Sequence, residues 1–266
     1  MLGAVIGDIA GSRFEWRNTK CKDFELFSPQ CRITDDSVMS LAIARAILDS
    51  AGNRERLGSE AIRYMQTFGR RWARGCYGGS FARWLNEEHP RPYGSWGNGS
   101  AMRVSACAWA SETLEEALAM ARSVTEVTHD HPEGLKGAEA VTACIWLALH
   151  ESSMADIREH VEARYYPLAF TLDEIRPHYR FDVSCQGSVP QAIVAFLEST
   201  SFEDAVRNAI SLGGDSDTIG AIAGSMAEPF YGIPEELRKS ALAYLPAELA
   251  AVVEEFESSY SARILR

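Results

Sequence analysis

The chain lacks the sequence features of secreted and membrane proteins. Its N-terminal stretch 1–12 is apolar, but it is too short and too interrupted by charge to span a bilayer. It also has neither the basic start nor the apolar core of a signal peptide. The six cysteines (21, 31, 76, 107, 144 and 185) include no Cys-x-x-Cys pair, a pattern typical of reduced thiols. We therefore expect a cytoplasmic protein with no membrane partner.

Positive charge is also scarce. The chain has 26 Lys and Arg against 37 Asp and Glu, a formal net charge of −11. General nucleic-acid binding depends on Lys and Arg contacts to phosphates, so the charge argues against that class. No linker, low-complexity tract or internal repeat divides the 266 residues, and we expect a single domain, 1–266.

Helical periodicity recurs along almost the whole chain. The spacing of apolar residues predicts helices at about 38–49, 59–74, 80–88, 103–110, 113–127, 133–150, 154–164, 189–199, 202–211, 217–228 and 234–258. The least periodic stretch, 165–187, reads as a loop bordering a cleft or as a packed connector.

Two short acidic clusters precede helical runs. They are Thr34-Asp35-Asp36 and Asp215-Ser216-Asp217-Thr218. An ordinary interpretation is that each caps its helix, because such side chains accept from exposed backbone N–H groups. A cap needs one acceptor, however, and the second cluster supplies three after Gly213-Gly214. Hard oxygen ligands of this kind also suit magnesium or manganese. If the clusters meet, they predict a two-metal hydrolytic enzyme.

Small residues predict a close helix contact. Gly3, Gly7 and Gly11 share one face of a helix through 1–12, and the glycines at 220 and 224 suggest that another backbone packs very near. Asp8 lies within this apolar stretch and could be a satisfied buried acid. Glu15 is flanked by aromatic residues, and burial would raise its pKa into a useful range.

A third region, 93–103, is rich in glycine and opens a helix. Such a loop can cradle phosphate, but it does not match the Walker or Rossmann spacing, and it could be an ordinary turn. Further along, His129 and His131 lack the HExxH pattern of zinc enzymes. We favour a hydrogen-bonding role for His129 over metal ligation.

Taken in order, these motifs resemble the ADP-ribosylglycohydrolases, from Leu2 to about Gly232. That family includes the dinitrogenase-reductase-activating glycohydrolase and the vertebrate ADP-ribosyl-acceptor hydrolases. The resemblance implies an all-α, single-domain orthogonal helical bundle with two Mg²⁺ ions, or Mn²⁺. The implied metal ligands are Thr34, Asp35, Asp36, Asp215, Asp217 and Thr218. Glu15 matches an acidic residue that also reaches the metal site in the family.

The resemblance also implies a reaction. The metals would bind the ribose hydroxyls and a water, and Glu15, Asp35 or Asp36 would take the proton from that water. The loop 97–103 would hold the pyrophosphate, mainly through backbone amides, and His129 would lie beside the distal part of the ligand. The implied substrate-binding loop residues are Asn98, Gly99, Ser100, Ala101, Met102 and Arg103. Tyr93 or Trp96 would stack on the adenine or line the cleft.

Three functions stay open at this point. The first is removal of ADP-ribose from a modified protein side chain, with arginine as the expected acceptor and serine as its main competitor. Another acceptor, including a nucleic acid carrying one ADP-ribose group, fits the same chemistry. The second is a catalytically silent ADP-ribose binder, and the third is a two-metal hydrolase of nucleotides or phosphoesters. The sequence does not determine the oligomeric state.

Overall fold

The computed structural model describes residues 1–260, which form fourteen α-helices, one short 3-10 turn at Asn98–Ser100 and no strand. The helices are α1 (Leu2–Gly11), α2 (Asp35–Ser50), α3 (Arg54–Arg71), α4 (Gly79–Trp84), α5 (Ser105–Trp109), α6 (Leu114–Thr125), α7 (Pro132–Leu149), α8 (Met154–Arg164), α9 (Leu172–Ile175), α10 (Cys185–Leu197), α11 (Phe202–Ile210), α12 (Ser216–Tyr231), α13 (Glu235–Leu242) and α14 (Ala247–Tyr260). The all-α prediction is confirmed. Within these residues no helix is both long and apolar enough to cross a bilayer.

Several predicted boundaries were wrong. Helix α3 begins at Arg54 instead of about 59, α4 ends at Trp84 instead of about 88, and α10 begins at Cys185 instead of about 189. The run predicted at 234–258 is two helices, α13 and α14, because Pro246 cannot continue a helix and disfavours helical backbone before it. The aperiodic stretch 165–187 contains the short helix α9, whose first turn has a capping box of Thr171 and Glu174. Helix α12 continues through Pro229 to Tyr231 instead of ending at 228.

Helices α1 and α12 are the centre of the molecule. All ten residues of α1 are buried, and so is α12 from Ser216 to Glu228. A Cβ atom placed on Gly7 would lie 2.0 Å from the carbonyl oxygen of Gly220, and one on Gly3 would lie 2.2 Å from that of Gly224. Only hydrogen fits between the two backbones at these positions, so the predicted close approach is confirmed.

The core surrounds this pair. Buried apolar side chains from α1, α2, α7, α10, α11 and α12 belong to one cluster. Helix α2 packs against α3 and α14 on one side, and α10 and α11 pack against α12 on the other. This arrangement brings the starts of α2 and α12 to the same region of the molecule.

Candidate metal centre and cavity

The two acidic clusters meet across the helix starts. The hydroxyl of Thr218, in the first turn of α12, donates to Asp36 Oδ2 in the first turn of α2 at 3.2 Å. These residues are 182 positions apart in sequence. The packing of α1 against both helices therefore assembles one acidic centre from two distant segments.

The interpretation of the clusters as helix caps does not hold. Neither Thr34 nor Asp215, the N-cap residues of α2 and α12, caps its helix with its side chain. Asp8 of α1 stabilises the start of α2 instead: its carboxylate accepts from the backbone N–H groups of Thr34 and Ser37 at 2.9 and 3.0 Å. Both hydroxyls of those residues also donate to it. Asp8 is thus a satisfied buried acid. In the second cluster, Asp217 Oδ1 still accepts from the Thr218 N–H at 3.1 Å, so this carboxylate keeps one hydrogen bond to the start of its own helix.

The carboxylates form two overlapping groups. In one group, oxygen atoms of Asp8, Asp36 and Asp217 lie within 4.8 Å of one another, and in the other those of Glu15, Asp215 and Asp217 do. Asp217 belongs to both. Asp35 belongs to neither group, but it lines the adjacent cavity.

Burial and mutual repulsion dominate the electrostatics here. Burial first, and neighbouring carboxylates second, raise the pKa of Asp36 and Asp217 well above the ordinary value. The pKa of Asp35 is raised well above its ordinary value for the same reasons. Burial, and then Asp215, raise the pKa of Glu15. Among the ion pairs of residues 1–260, none involves these acids.

The centre fits divalent cations. Asp36 Oδ1 is buried and has no hydrogen-bond partner among residues 1–260, an arrangement that costs free energy unless the oxygen has a ligand. Carboxylate and hydroxyl oxygens are the donors that Mg²⁺ and Mn²⁺ prefer. Neither group includes a histidine or cysteine, which zinc sites favour. The Thr34 hydroxyl donates to Asp8 at 2.6 Å, as the Thr218 hydroxyl does to Asp36, and such a bond leaves the oxygen lone pairs free for a cation.

A cavity of about 740 Å³ opens beside these acids. Glu15, Asp35, Asp215, Asp217 and Thr218 line its acidic end, whereas Thr34 and Asp36 do not line it. Its other walls come from the glycine-rich loop, His129, the segment 75–81 and the apolar side chains of Trp16, Phe181 and Val183. Such a volume is in the range that holds small-molecule ligands.

The glycine-rich loop contributes less backbone than expected. Asn98, Gly99, Met102 and Arg103 line the cavity, but Ser100 and Ala101 do not. The amides of Gly97, Asn98, Ser100, Ala101 and Met102 already donate to oxygen atoms of the protein. These five amides therefore have partners within the protein, and the expectation that backbone amides hold the phosphate stays a prediction.

The loop side chains instead support the site. Ser100 donates to the carbonyl oxygen of Gly134 at 2.8 Å, which holds the loop against α7 from behind. Asn98 donates to Asp215 Oδ2 at 2.7 Å and to the Ser188 hydroxyl at 3.1 Å. Asn98 thereby orients one of the acids of the centre.

Arg103 is a buried cation in the cavity wall. Only 1% of its surface is exposed, and it is the one Lys or Arg among the described residues that line the cavity. Its guanidinium donates to the Thr128 hydroxyl at 2.7 Å, and its Nε atom has no partner in the part of the chain that the structure describes. Burial lowers its pKa to about 10, so it stays charged at neutral pH.

His129 makes a hydrogen bond and belongs to neither acidic group. Its Nδ1 atom lies 2.7 Å from the Thr128 hydroxyl, and its ring lies beside Gly99, where an added Cβ would be 3.4 Å from Nε2. Burial, and then Arg103, lower its pKa well below the ordinary value, so the ring is neutral. His131 accepts from the Glu133 N–H and caps α7.

Some cavity residues were not predicted. The segment 75–81 contributes Cys76, Tyr77 and Phe81, and the loop before α10 contributes Phe181 and Val183. The three glycines within 75–79 could have indicated that this segment lines the cavity, because a glycine-rich backbone can approach a ligand closely. Phe181 and Val183 lie in the stretch 165–187, for which a loop bordering a cleft was one of the two interpretations, but no motif marked these two side chains.

Comparison with known proteins gives a consistent picture. The family model described as ADP-ribosylglycohydrolase matches residues 1–263. The ADP-ribosylhydrolase ARH3 proteins of Bos taurus and Homo sapiens are each 25% identical to this chain over 94% of its length and 90% of theirs. The ADP-ribosylarginine hydrolase Tri1 of Pseudomonas putida (strain GB-1) is 27% identical, over 54% of this chain and 42% of that protein.

The fold is similar to that of a solved structure described as an ADP-ribosylglycohydrolase-related protein complex. The TM-score is 0.69 at 22% sequence identity, with 94% of this chain and 93% of the other covered. Since the family model spans nearly the entire sequence and the fold agrees with it, the chain belongs to the ADP-ribosylglycohydrolase family.

Proposed function

We propose that this protein is a two-cation hydrolase that releases ADP-ribose from a modified arginine side chain of a protein by cleaving the ribosyl C1 glycosidic bond. The observation that carries the proposal is the contact between the two acidic helix starts at one end of the ligand-sized cavity. Family membership and the names of the relatives support ADP-ribose as the group removed.

The two overlapping carboxylate groups would hold two Mg²⁺ or Mn²⁺ ions. Asp36 and Asp217 would coordinate one ion, and Glu15, Asp215 and Asp217 would coordinate the other. The hydroxyl of Thr218 lies nearby. Bound cations of this kind lower the pKa of water and fix the ribose hydroxyls. Asp8 would orient the start of α2 from behind, and Asn98 would orient Asp215.

Arg103 would supply the positive charge for the diphosphate. Arg103 has no carboxylate partner among the described residues; burying such a guanidinium is costly, and a bound diphosphate would compensate it. His129, neutral and beside Gly99, would contact the distal part of the ligand through hydrogen bonding. Tyr93 and Trp96 both line the cavity, and one of the two rings would stack on the adenine.

Glu15 and Asp35 are the acids that would accept the proton of the attacking water. Both line the cavity. Asp36 is buried and does not line the cavity, so it fits better as a ligand of a metal ion. Positive charge that develops on the ribose during bond cleavage would be stabilised by the same carboxylates.

Arginine is the acceptor that the site favours. A ribosylated guanidinium carries positive charge, and the end of the cavity where the bond would break is lined by acids. One relative is named as an ADP-ribosylarginine hydrolase. The competing possibilities are hydrolysis of ADP-ribosyl-serine or another O- or N-linkage, and binding of ADP-ribose without turnover.

The test is an assay of free ADP-ribose release. The protein would be incubated with Mg²⁺ and, separately, with ADP-ribosyl-arginine, ADP-ribosyl-serine and an ADP-ribosylated oligonucleotide, each with and without EDTA. We expect release from the arginine linkage, lost in EDTA and in Asp36→Ala and Asp217→Ala. Asp173→Ala, at an exposed position of α9 outside the cavity, is the matched control and should keep full activity. Full activity of Asp36→Ala would reject the proposal, and binding without release would identify a silent relative.

A further inference from the structure

Exposed apolar surface is concentrated at the mouth of the cavity. Residues 1–260 expose four large apolar side chains, Trp16, Trp96, Phe181 and Val183, and all four line this cavity. Trp16 is 75% exposed and Phe181 43% exposed. Large apolar side chains that cluster at one exposed place usually mark a binding surface.

Two of these side chains form a stacked pair across the mouth. The rings of Trp16 and Phe181 have their centroids 5.2 Å apart and are inclined by only 22°. Trp16 lies in the loop after α1, and Phe181 lies in the loop before α10. The pair therefore joins two loops that are far apart in sequence.

Hydrogen bonds join the first loop to the residues just before α12 and to the second loop, which is itself bonded to α10. The side chain of Asn18 exchanges two hydrogen bonds of 3.0 Å with the backbone of Gly214. Lys20 donates to the carbonyl oxygen of Tyr179 at 2.8 Å. The Tyr179 hydroxyl in turn donates to the carbonyl oxygen of Gly187 at 2.7 Å. These bonds hold the two rings as a preformed surface.

The stacked pair lies at the acidic end of the cavity. Trp16 directly follows Glu15, whose carboxylate groups with those of Asp215 and Asp217. Gly214, which anchors Asn18, directly precedes Asp215. Arg103 and His129 belong to the glycine-rich side of the cavity. If the ribose lies at the acids, as the proposed function requires, the acceptor leaves the cavity beside Trp16 and Phe181.

The charge around this surface favours a cationic acceptor. Four acidic side chains, those of Glu15, Asp35, Asp215 and Asp217, line this end of the cavity, while the one cation of the described lining, Arg103, belongs to the glycine-rich side. Arg17 and Arg180, the basic neighbours of the two aromatic residues, do not line the cavity. An aromatic face next to acidic side chains suits a planar cation such as a guanidinium.

We propose that the Trp16–Phe181 stack is the acceptor platform of this enzyme and sets its preference for guanidinium-linked over hydroxyl-linked ADP-ribose. This inference rests on the proposed function. The guanidinium of the modified arginine lies on the exposed aromatic face while the ribose occupies the acidic end. Serine offers no planar group to this surface and gains nothing from it.

The test compares Trp16→Ala, Phe181→Ala and Trp16→Phe on matched arginine- and serine-linked substrates. We expect both alanine variants to lose about five- to tenfold in kcat/KM on the arginine linkage, mostly through KM, as the loss of a cation–π contact predicts. Activity on the serine linkage and the Kd of free ADP-ribose, measured by calorimetry, should change by less than about twofold. Trp16→Phe keeps the aromatic face and should retain the arginine preference.

Three results would overturn the inference. Equal losses on every linkage would show that Trp16 acts only through its neighbour Glu15. A loss confined to an ADP-ribosylated oligonucleotide would show that the platform stacks a nucleobase. Unchanged arginine kinetics in both alanine variants would show that the acceptor leaves elsewhere. If the wild-type protein binds but does not hydrolyse, the proposed function fails separately. The platform is then tested by whether Trp16→Ala removes the affinity advantage of ADP-ribosyl-arginine over free ADP-ribose.

Discussion

The contact between α1 and α12 can be tested with a single methyl group, by changing Gly7 to Ala. The added Cβ would lie 2.0 Å from the carbonyl oxygen of Gly220, whereas ordinary contacts begin at 3.4 Å. One helix must therefore move by about 1.4 Å, the difference between these two distances. The obstructing atoms are backbone, so no side-chain rotation can relieve the clash.

The expected cost of this change is large for one methyl group. Overpacking a rigid contact costs about 3 kcal/mol, offset by at most about 1 kcal/mol from the better helix propensity of alanine. For a chain of this size, 2–3 kcal/mol corresponds to a fall of roughly 4–12 °C in Tm. Because Asp8 and Asp217 lie on the separated helices, cation affinity should also fall, by about tenfold or more.

The assay is thermal unfolding in EDTA, followed by Mg²⁺ titration calorimetry. Gly58→Ala in α3 is the matched control, since its Cβ would lie 3.5 Å from the nearest atom, the Ser123 carbonyl oxygen. That variant should be as stable as the wild type or slightly more stable. A Gly7→Ala protein that melts within about 2 °C of the wild type would refute the reasoning, because the helices would then separate at little cost.

Three further predictions concern the site. Asp217→Asn should weaken both cation sites by about 100-fold in calorimetry yet leave Tm in EDTA unchanged or higher, because it removes one of several repelling buried acids. A large fall of Tm in EDTA would contradict this. Asp8→Asn should destabilise the protein by about 2–4 kcal/mol in denaturant unfolding, since an amide cannot accept all four donors; unchanged stability would show that α2 needs no cap. His129 resists protonation in the folded protein, so its contribution to stability is present above its ordinary pKa and is lost as pH falls below it. Stability should therefore decline less in His129→Gln than in the wild type between pH 8 and about pH 5, by the linkage of protonation to folding; parallel pH profiles would contradict it.

Much of the fold could be read from the sequence because helical periodicity is a local property. The runs at 113–127, 133–150, 154–164 and 202–211 correspond to α6, α7, α8 and α11 within a few residues. The glycines at positions 3, 7 and 11, with those at 220 and 224, predicted a close backbone contact, because glycine inside a helix is costly without such a reason. The break at Pro246 was missed because the apolar pattern continues across it.

The chemistry of the acidic clusters was also visible in the sequence. Side chains rich in hard oxygen atoms at two helix starts predict divalent cations, wherever the helices lie. What the sequence left open was whether these side chains cap their own helices, since a cap and a ligand use the same residue types.

Only the tertiary structure decided how these parts combine. The cap of α2 comes from Asp8 of another helix, and Asp217 belongs to both carboxylate groups. The cavity gains Trp16 and Phe181 from loops with no distinctive pattern. These relations depend on distances between segments far apart in the chain, which packing of α1 against α2 and α12 sets. The sequence by itself therefore determined the helices and the ligand chemistry, while the packing determined which side chains share a site.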